Sequence, residues 1–333
     1  MKILIVNQSE VAQLLSMSEC VIVMADALKA LARGEAIQPL RPIMRLPEKI
    51  GLLGIMPGYL DSIKSMGLKV ISIFPGNQGT EFDSHQGAVL LFEAKHGQLL
   101  SIMDASSITA IRTAAVSGVA TQALAREEAS DLAILGSGVQ AQTHLEAMLL
   151  ARKIKRVRVW SRNFENARKF AERESPKHKI AVEPMKTTKE ATQNADIICT
   201  VTSSSQPVLF GEWIAPGAHI NAVGSSTPHV RELDTPAVVR AMLFVDRRES
   251  TLNEAGDFLI PKNEGAIKDD HIRGELGEIL LGHLKGRISD QEITLFKSLG
   301  LAIEDVAAAH YVYQKALKKK KGTWVELGGA RHL

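Results

Sequence analysis

Gly136-Ser137-Gly138, with Ala141 three residues on, has the G-x-G-x-x-[G/A] types and spacing that hold a dinucleotide pyrophosphate. Gly136 permits a tight turn, Gly138 lets backbone approach the phosphates, and Ala141 lets a helix pack close to the preceding strand. Ser137, Gly138, Val139 and Gln140 would then open a helix whose amino-terminal dipole favours anions. Glycine turns also join strands to helices with no ligand present, so the setting matters. Here an apolar run at 132–135 precedes the glycines and a helix-compatible stretch at 139–151 follows.

An Asp or Glu about 20 residues past such glycines accepts the adenosine ribose hydroxyls of NAD. The second strand here ends Val159-Trp160-Ser161-Arg162, with no acid at its tip. Ser161 offers a hydroxyl and Arg162 a planar charged fork suited to a 2′-phosphate. The pattern favours NADPH, with NADH accepted at lower preference; otherwise Arg162 is a surface residue at a loop start. Two small, hydroxyl-rich segments, Thr202-Ser203-Ser204-Ser205-Gln206-Pro207 and Gly224-Ser225-Ser226-Thr227-Pro228, follow strand-like runs. Their positions suit a nicotinamide ribose, with Thr202, Ser203, Gly224 and Ser225 as candidate contacts, though such loops also occur without function. Arg45, Lys69 and Arg112 are three separated cations in apolar or small surroundings, and Thr113 beside Arg112 is a further candidate contact to nucleotide. Spacing alone does not bring the three cations together, and each singly reads as a surface residue.

The elements that must position these residues fall into two rhythms. Ser16 and Glu19 are spaced as a capping box, before apolar residues at helical spacing up to Gly34. Short β-like runs at 43–46, 52–56, 68–74, 88–93 and 99–104 then predict a mostly antiparallel sheet. From about residue 116 helix and strand alternate: helices at 114–124, 139–151 and 163–174, strands at 132–135, 156–160, 180–182, 197–201, 219–223 and 243–245. That alternation predicts an α/β protein with a Rossmann-type doubly wound parallel sheet. A last helix at 299–318 returns to the first region. The expected domains are 1–115 plus 306–333, a discontinuous α+β domain, and 116–305, the nucleotide domain.

Across 333 residues, 40 Lys and Arg nearly cancel 37 Asp and Glu for a net charge of +3, which gives no case for nucleic acid. The basic block Lys318-Lys319-Lys320-Lys321 closes a helix, where cations suit the dipole. Cys20 and Cys199 each sit in an apolar run and read as free thiols of a reducing compartment. The start of the chain turns polar too soon for a signal peptide, and no apolar run reaches the ~20 residues of a membrane span. A cytoplasmic protein is expected, with no metal site and no membrane contact.

The chain resembles the ornithine cyclodeaminase/μ-crystallin family along nearly its full length. The likeness is carried by Asp104-Ala-Ser-Ser-Ile-Thr-Ala-Ile-Arg-Thr-Ala-Ala-Val-Ser117, Leu135-Gly-Ser-Gly-Val-Gln-Ala141, Gly217-Ala-His-Ile-Asn-Ala-Val-Gly224, Arg231-Glu-Leu-Asp234, Glu254-Ala-Gly-Asp257, Gly274-Glu-Leu-Gly-Glu278 and Thr294-Leu-Phe-Lys-Ser-Leu-Gly-Leu-Ala-Ile-Glu-Asp305. The resemblance implies a homodimer built through the first domain and a small imino or amino acid as substrate. It implies that Arg45, Lys69 and Arg112 hold the substrate carboxylate and crowd the reacting carbon. Cyclodeaminases and alanine dehydrogenases of the family carry an aspartate where this chain has Ser226, and the ketimine reductase branch carries a small neutral residue there. With Ser161-Arg162, this points to an NADPH-dependent reductase of cyclic imino acids. Lys69 would orient the carboxylate and supply or relay a proton, Ser226 and Thr227 would position the imine nitrogen or nicotinamide, and His85 is a further pocket candidate. A cyclodeaminase of ornithine or lysine, a dehydrogenase of alanine or N-methyl amino acids, and a non-catalytic NADPH and small-ligand binding protein are the alternatives.

Overall fold

A computed structural model describes residues 2–77 and 79–329. The chain divides into two units, Met1–Arg112 with Leu301–Leu333, and Thr113–Gly300. The divisions fall earlier than the expected ones after 115 and 305, and Glu304 and Asp305 therefore belong to the first unit.

The first unit begins with β1 (Lys2–Val6), α1 (Gln8–Leu14) and α2 (Met17–Ala32). Asn7 with Glu10 and Ser16 with Glu19 close reciprocal capping boxes on the two helices. The apolar face of α2, including Cys20, Met24 and Leu28, is buried. Strands β2 (Ala36–Ile37), β3 (Ile43–Arg45), β4 (Leu52–Leu60), β5 (Ser65–Ile73), β6 (His85–Glu93) and β7 (Leu99–Asp104) follow, then helix α3 (Ala105–Leu124). The division at Arg112/Thr113 lies inside α3. This helix starts nine residues before the expected 114. Its first turns are rich in Ser and Thr, which propensity alone assigns to caps and turns, but Ala105, Ile108 and Ala110 are buried on it.

In the second unit β8 (Asp131–Leu135), α4 (Val139–Ala151), β9 (Arg156–Trp160), α5 (Phe164–His178), β10 (Val182–Met185), α6 (Thr188–Thr192), β11 (Ile197–Thr200) and β12 (His219–Ala222) alternate. Next come α7 (Thr235–Val239), β13 (Ala241–Val245), α8 (Arg248–Glu254), α9 (Gly256–Asn263), β14 (Ile272–Glu275), α10 (Leu276–Leu280) and β15 (Ile293–Lys297). Helix α5 runs four residues past the expected end, through Pro176, and stops at Lys179 in the left-handed region (φ 53). Strand β10 is displaced accordingly from the expected 180–182. All eight strands are parallel, in the order β10-β9-β8-β11-β12-β15-β13-β14. The order reverses between β8 and β11, the switch point where such sheets bind ligands at their carboxyl ends.

The chain then re-enters the first unit as α11 (Ala302–Lys319) and β16 (Thr323–Glu326). The first sheet runs β16-β1-β7-β6-β5-β4-β2, with β3 also on β4; it is antiparallel except for β1 against β7. Helix α11 packs across β4, β5 and β6. Gly58 and Gly67 are paired across β4 and β5 and make this approach possible. A Cβ on Gly58 would lie 3.1 Å from the Cβ of Ala302, and one on Gly67 would lie 2.8 Å from Cγ2 of Val306.

Candidate active site

Two residues along from those glycines, on the same sheet face, Lys69 of β5 is paired with Met56 of β4 and Val89 of β6. Its ammonium lies 2.8 Å from Oδ2 of Asp305, in the first turn of α11, and 3.4 Å from the Thr109 hydroxyl of α3. Arg112 of α3 donates from Nε to Oδ1 of Asp305 at 3.0 Å and from Nη1 to Oε2 of Glu304 at 2.7 Å. Lys69, Arg112, Glu304 and Asp305 are all at most 3% exposed. The two carboxylates stand in the positive field of the α11 amino terminus, and Glu304 also accepts from the Leu301 amide. Burial pulls the Lys69 amine down to about 8; Asp305 opposes this, and the positive charges of Arg112 and Arg41 assist it.

Arg41, absent from the expected set, stands where Arg45 was expected. The Ile55 amide donates to the Pro42 carbonyl oxygen, so the β3–β4 register extends beyond the strand to Pro42, and Arg41, next in the chain, lies within electrostatic reach of Lys69. Met56, the partner of Lys69, is the residue after Ile55 on β4. Arg45 is paired with Leu52, four residues and ~13 Å further along β4, and is exposed. The expectation for Arg45 is corrected: the structure brings together Lys69 and Arg112, with Arg41, and leaves Arg45 outside. The signal that separates them is strand register, which two arginines four residues apart do not carry in sequence. Glu304 and Asp305 had a signal, two acids in an otherwise apolar helix start. His85 shares the face of Lys69, lies within its electrostatic reach, and has Nδ1 3.0 Å from the Ser84 hydroxyl.

In the second unit Gly136 has φ +127, and a Cβ there would lie 2.7 Å from the carbonyl oxygen of Val201 beyond β11. A Cβ on Gly138 would meet nothing within 4 Å. Gly138 caps α4 without a side-chain hydrogen bond, and Val139 is exposed. Open space before uncapped amides at a switch point fits a dinucleotide phosphate. The Ser137 hydroxyl donates to that of Ser161 at 2.9 Å, and Arg162 is exposed at the tip of β9. Gln140 is half-buried, and its backbone oxygen is 2.7 Å from Nδ1 of His144.

The hydroxyl-rich loops are held from beneath. Oε1 of Glu232 accepts from the amide and hydroxyl of Thr202, and Oε2 from the Gly224 amide. Ser225 is buried with its hydroxyl on the carbonyl oxygen of Val230, so that side chain shapes the loop. Ser226 and Thr227 are half-buried, Ser203 is exposed, and Thr113 is buried on α3. Among the described residues no three His, Cys, Asp or Glu side chains are grouped to hold a metal.

A doubly wound parallel sheet with a dinucleotide turn, and a second sheet unit bearing a buried Lys–Arg–carboxylate cluster, define a two-unit nucleotide-binding α/β class. The chain belongs to the ornithine cyclodeaminase/mu-crystallin family, whose model matches residues 1–320. It is 42% identical to ketimine reductase mu-crystallin of Mus musculus over 84% of this chain and 85% of that protein. It is 37% identical to Delta(1)-pyrroline-2-carboxylate reductase of Bacillus cereus over 97% of this chain and 99% of that one. Among solved structures, the Thermococcus litoralis Delta(1)-pyrroline-2-carboxylate reductase, in complex with NADH and L-proline, superposes with a TM-score of 0.94. It is 41% identical, covering 96% of this chain and 99% of that chain.

Proposed function

We propose that this protein is an NADPH-dependent reductase of small cyclic imino acids, converting ketimines such as Δ1-pyrroline-2-carboxylate or Δ1-piperideine-2-carboxylate to the cyclic L-amino acids. The observation that carries this reading is Lys69, buried against Asp305 and Arg112 and shifted to about 8, in a chain so similar to a reductase seen with L-proline. When bound, the nucleotide supplies a hydride for the imine carbon. Arg41 and Arg112 hold the carboxylate by charge-assisted hydrogen bonds and so fix the adjacent carbon. Lys69 orients the same carboxylate and delivers or relays a proton to the ring nitrogen, a role served by an amine that titrates near the working pH. Asp305 keeps Lys69 in place and charged. Ser226 and Thr227 position the imine nitrogen or the nicotinamide, and His85 borders the substrate.

The preference for NADPH is supported by Ser161 and Arg162 at a strand tip with no acid. NADH serves at lower preference. Exposed Trp324 and Val325 on the edge strand β16 support a homodimer built through the first unit, which light scattering would read as a two-chain particle. Two buried free cysteines suit a cytoplasmic location. Among the described residues no single helix is long and apolar enough to cross a membrane. NADPH oxidation across a panel of pyrroline-2-carboxylate, piperideine-2-carboxylate, pyruvate with ammonia or methylamine, and no substrate tests the reading. Turnover with a cyclic ketimine far above the rest supports it; tight NADPH binding with no turnover anywhere refutes it in favour of a binding protein.

A further inference from the structure

We infer that Glu232 is a positioning residue that holds both hydroxyl-rich loops in a shape ready for the nicotinamide half of the nucleotide before the nucleotide arrives. The inference rests on the reading that the second unit holds NADPH. Glu232 is completely buried, and among the described residues no cation pairs with it directly. Burial and the nearby Asp257 push its carboxyl above the ordinary range, and this is opposed by Lys297 and by the donors its two oxygens accept from: the Thr200 hydroxyl at 2.8 Å, the Thr202 amide at 2.7 Å, the Thr202 hydroxyl at 2.6 Å and the Gly224 amide at 2.7 Å. These donors come from the carboxyl ends of two adjacent strands, β11 and β12, beside the switch point.

A carboxylate is the one side chain that accepts from four donors while offering none of its own. An amide would set an N–H against two of the donors already in place. The consequence for the loops is specific. With its proton directed at Glu232, the Thr202 hydroxyl accepts from the Ser204 amide at 3.0 Å and so sets the turn of the first loop. At the second loop a Cβ on Gly224 would lie 2.2 Å from the Thr202 carbonyl oxygen and 2.5 Å from Glu232 Oε1, so the two loops touch through the carboxylate. Glu232 is itself anchored: its amide donates to Asp257 at 2.8 Å, and Asp257 pairs at 2.9 Å with the buried Lys297, which donates to the Ser225 carbonyl oxygen at 2.5 Å. Every link is internal to the second unit.

The test uses the full-length chain and its Glu232→Gln variant, with NADPH affinity read by fluorescence titration and amide exchange measured without nucleotide. The expected result is a ten-fold or larger rise in the NADPH Kd. Exchange should accelerate at Thr202 and Gly224 but not in β9 or α4. Acceleration confined to the two loops is a pattern that general destabilisation, which would raise exchange throughout the unit, would not give. Thr202→Val, which removes one donor and the Ser204 contact, should move both readouts in the same direction by less, and it carries the test if Glu232→Gln does not fold. Unchanged NADPH affinity with unchanged exchange in either folded variant overturns the inference. A wild-type chain that binds neither NADPH nor NADH overturns the nucleotide reading instead, and the inference with it.

Discussion

At Lys69 burial and the guanidinium groups of Arg41 and Arg112 favour the neutral amine, Asp305 favours the ammonium, and the balance falls at about 8. If Lys69 is the proton source, reductive kcat/KM is flat below that value and falls about ten-fold per unit above it, because the ammonium is then lost. Asp305→Asn removes the opposing influence, so the fall should begin at lower pH; an unmoved profile would separate Lys69 from the proton step. Arg41 and Arg45 give a second comparison. Arg41→Ala should raise the imino acid KM by roughly ten- to a hundred-fold, the scale of losing one charge-assisted contact, while Arg45→Ala stays near wild type. Steady-state kinetics on the two variants decide it, and the opposite ranking would restore Arg45. The types of these residues were legible in the sequence, but each alone read as a surface residue, and Lys69 was set with Arg112 only by the family resemblance. The choice between two arginines was not legible, because it depends on strand register, which carries Arg45 out to Leu52 and away from Lys69.

Among the elements, the proposed nucleotide contacts divide between the turn before α4 and the tip of β9. A side chain on Gly138 would enter open space, so Gly138→Ala should leave thermal stability nearly unchanged while weakening NADPH binding. A variant that binds NADPH normally would show that the space is not the phosphate site. Replacing Arg162 with Asp at the strand tip should reverse the NADPH-to-NADH ratio of kcat/KM, since an acid repels a 2′-phosphate and accepts ribose hydroxyls. The parallel sheet was readable because most of its strands are apolar runs bounded by turns, buried on both faces. Strand β15 was missed, although it lies buried between β12 and β13, because Thr294 and Lys297 break its apolar run. Lys297 is tolerated there only through its pairing with Asp257 and two carbonyl oxygens. The early start of α3 was missed for a similar reason: tertiary burial overrides the turn preference of Ser106, Ser107 and Thr109.

For the molecule as a whole, two histidines of the second unit set a limit in acid. Burial lowers His144 to about 4 and His219 to about 3. Unfolding releases both to the ordinary value of 6.5, so below that pH the unfolded chain binds protons that the folded chain does not. The stability associated with keeping them neutral is present above 6.5 and is lost as pH falls, by about 1.4 kcal/mol per histidine per pH unit. Thermal melts should therefore fall steadily between pH 7 and about pH 5. A flat melting temperature over that range would mean that one or both rings gain solvent access.

The reductase reading itself is tested most directly by following the hydride. The chain is incubated with Δ1-pyrroline-2-carboxylate and NADPH carrying deuterium at the transferable position of the nicotinamide, and the product is examined by mass spectrometry and NMR. The account predicts L-proline with one deuterium, at the α-carbon, formed in step with NADPH oxidation, and a large loss of that product in Lys69→Met. NADPH bound but not oxidised, or proline without the label, would contradict it.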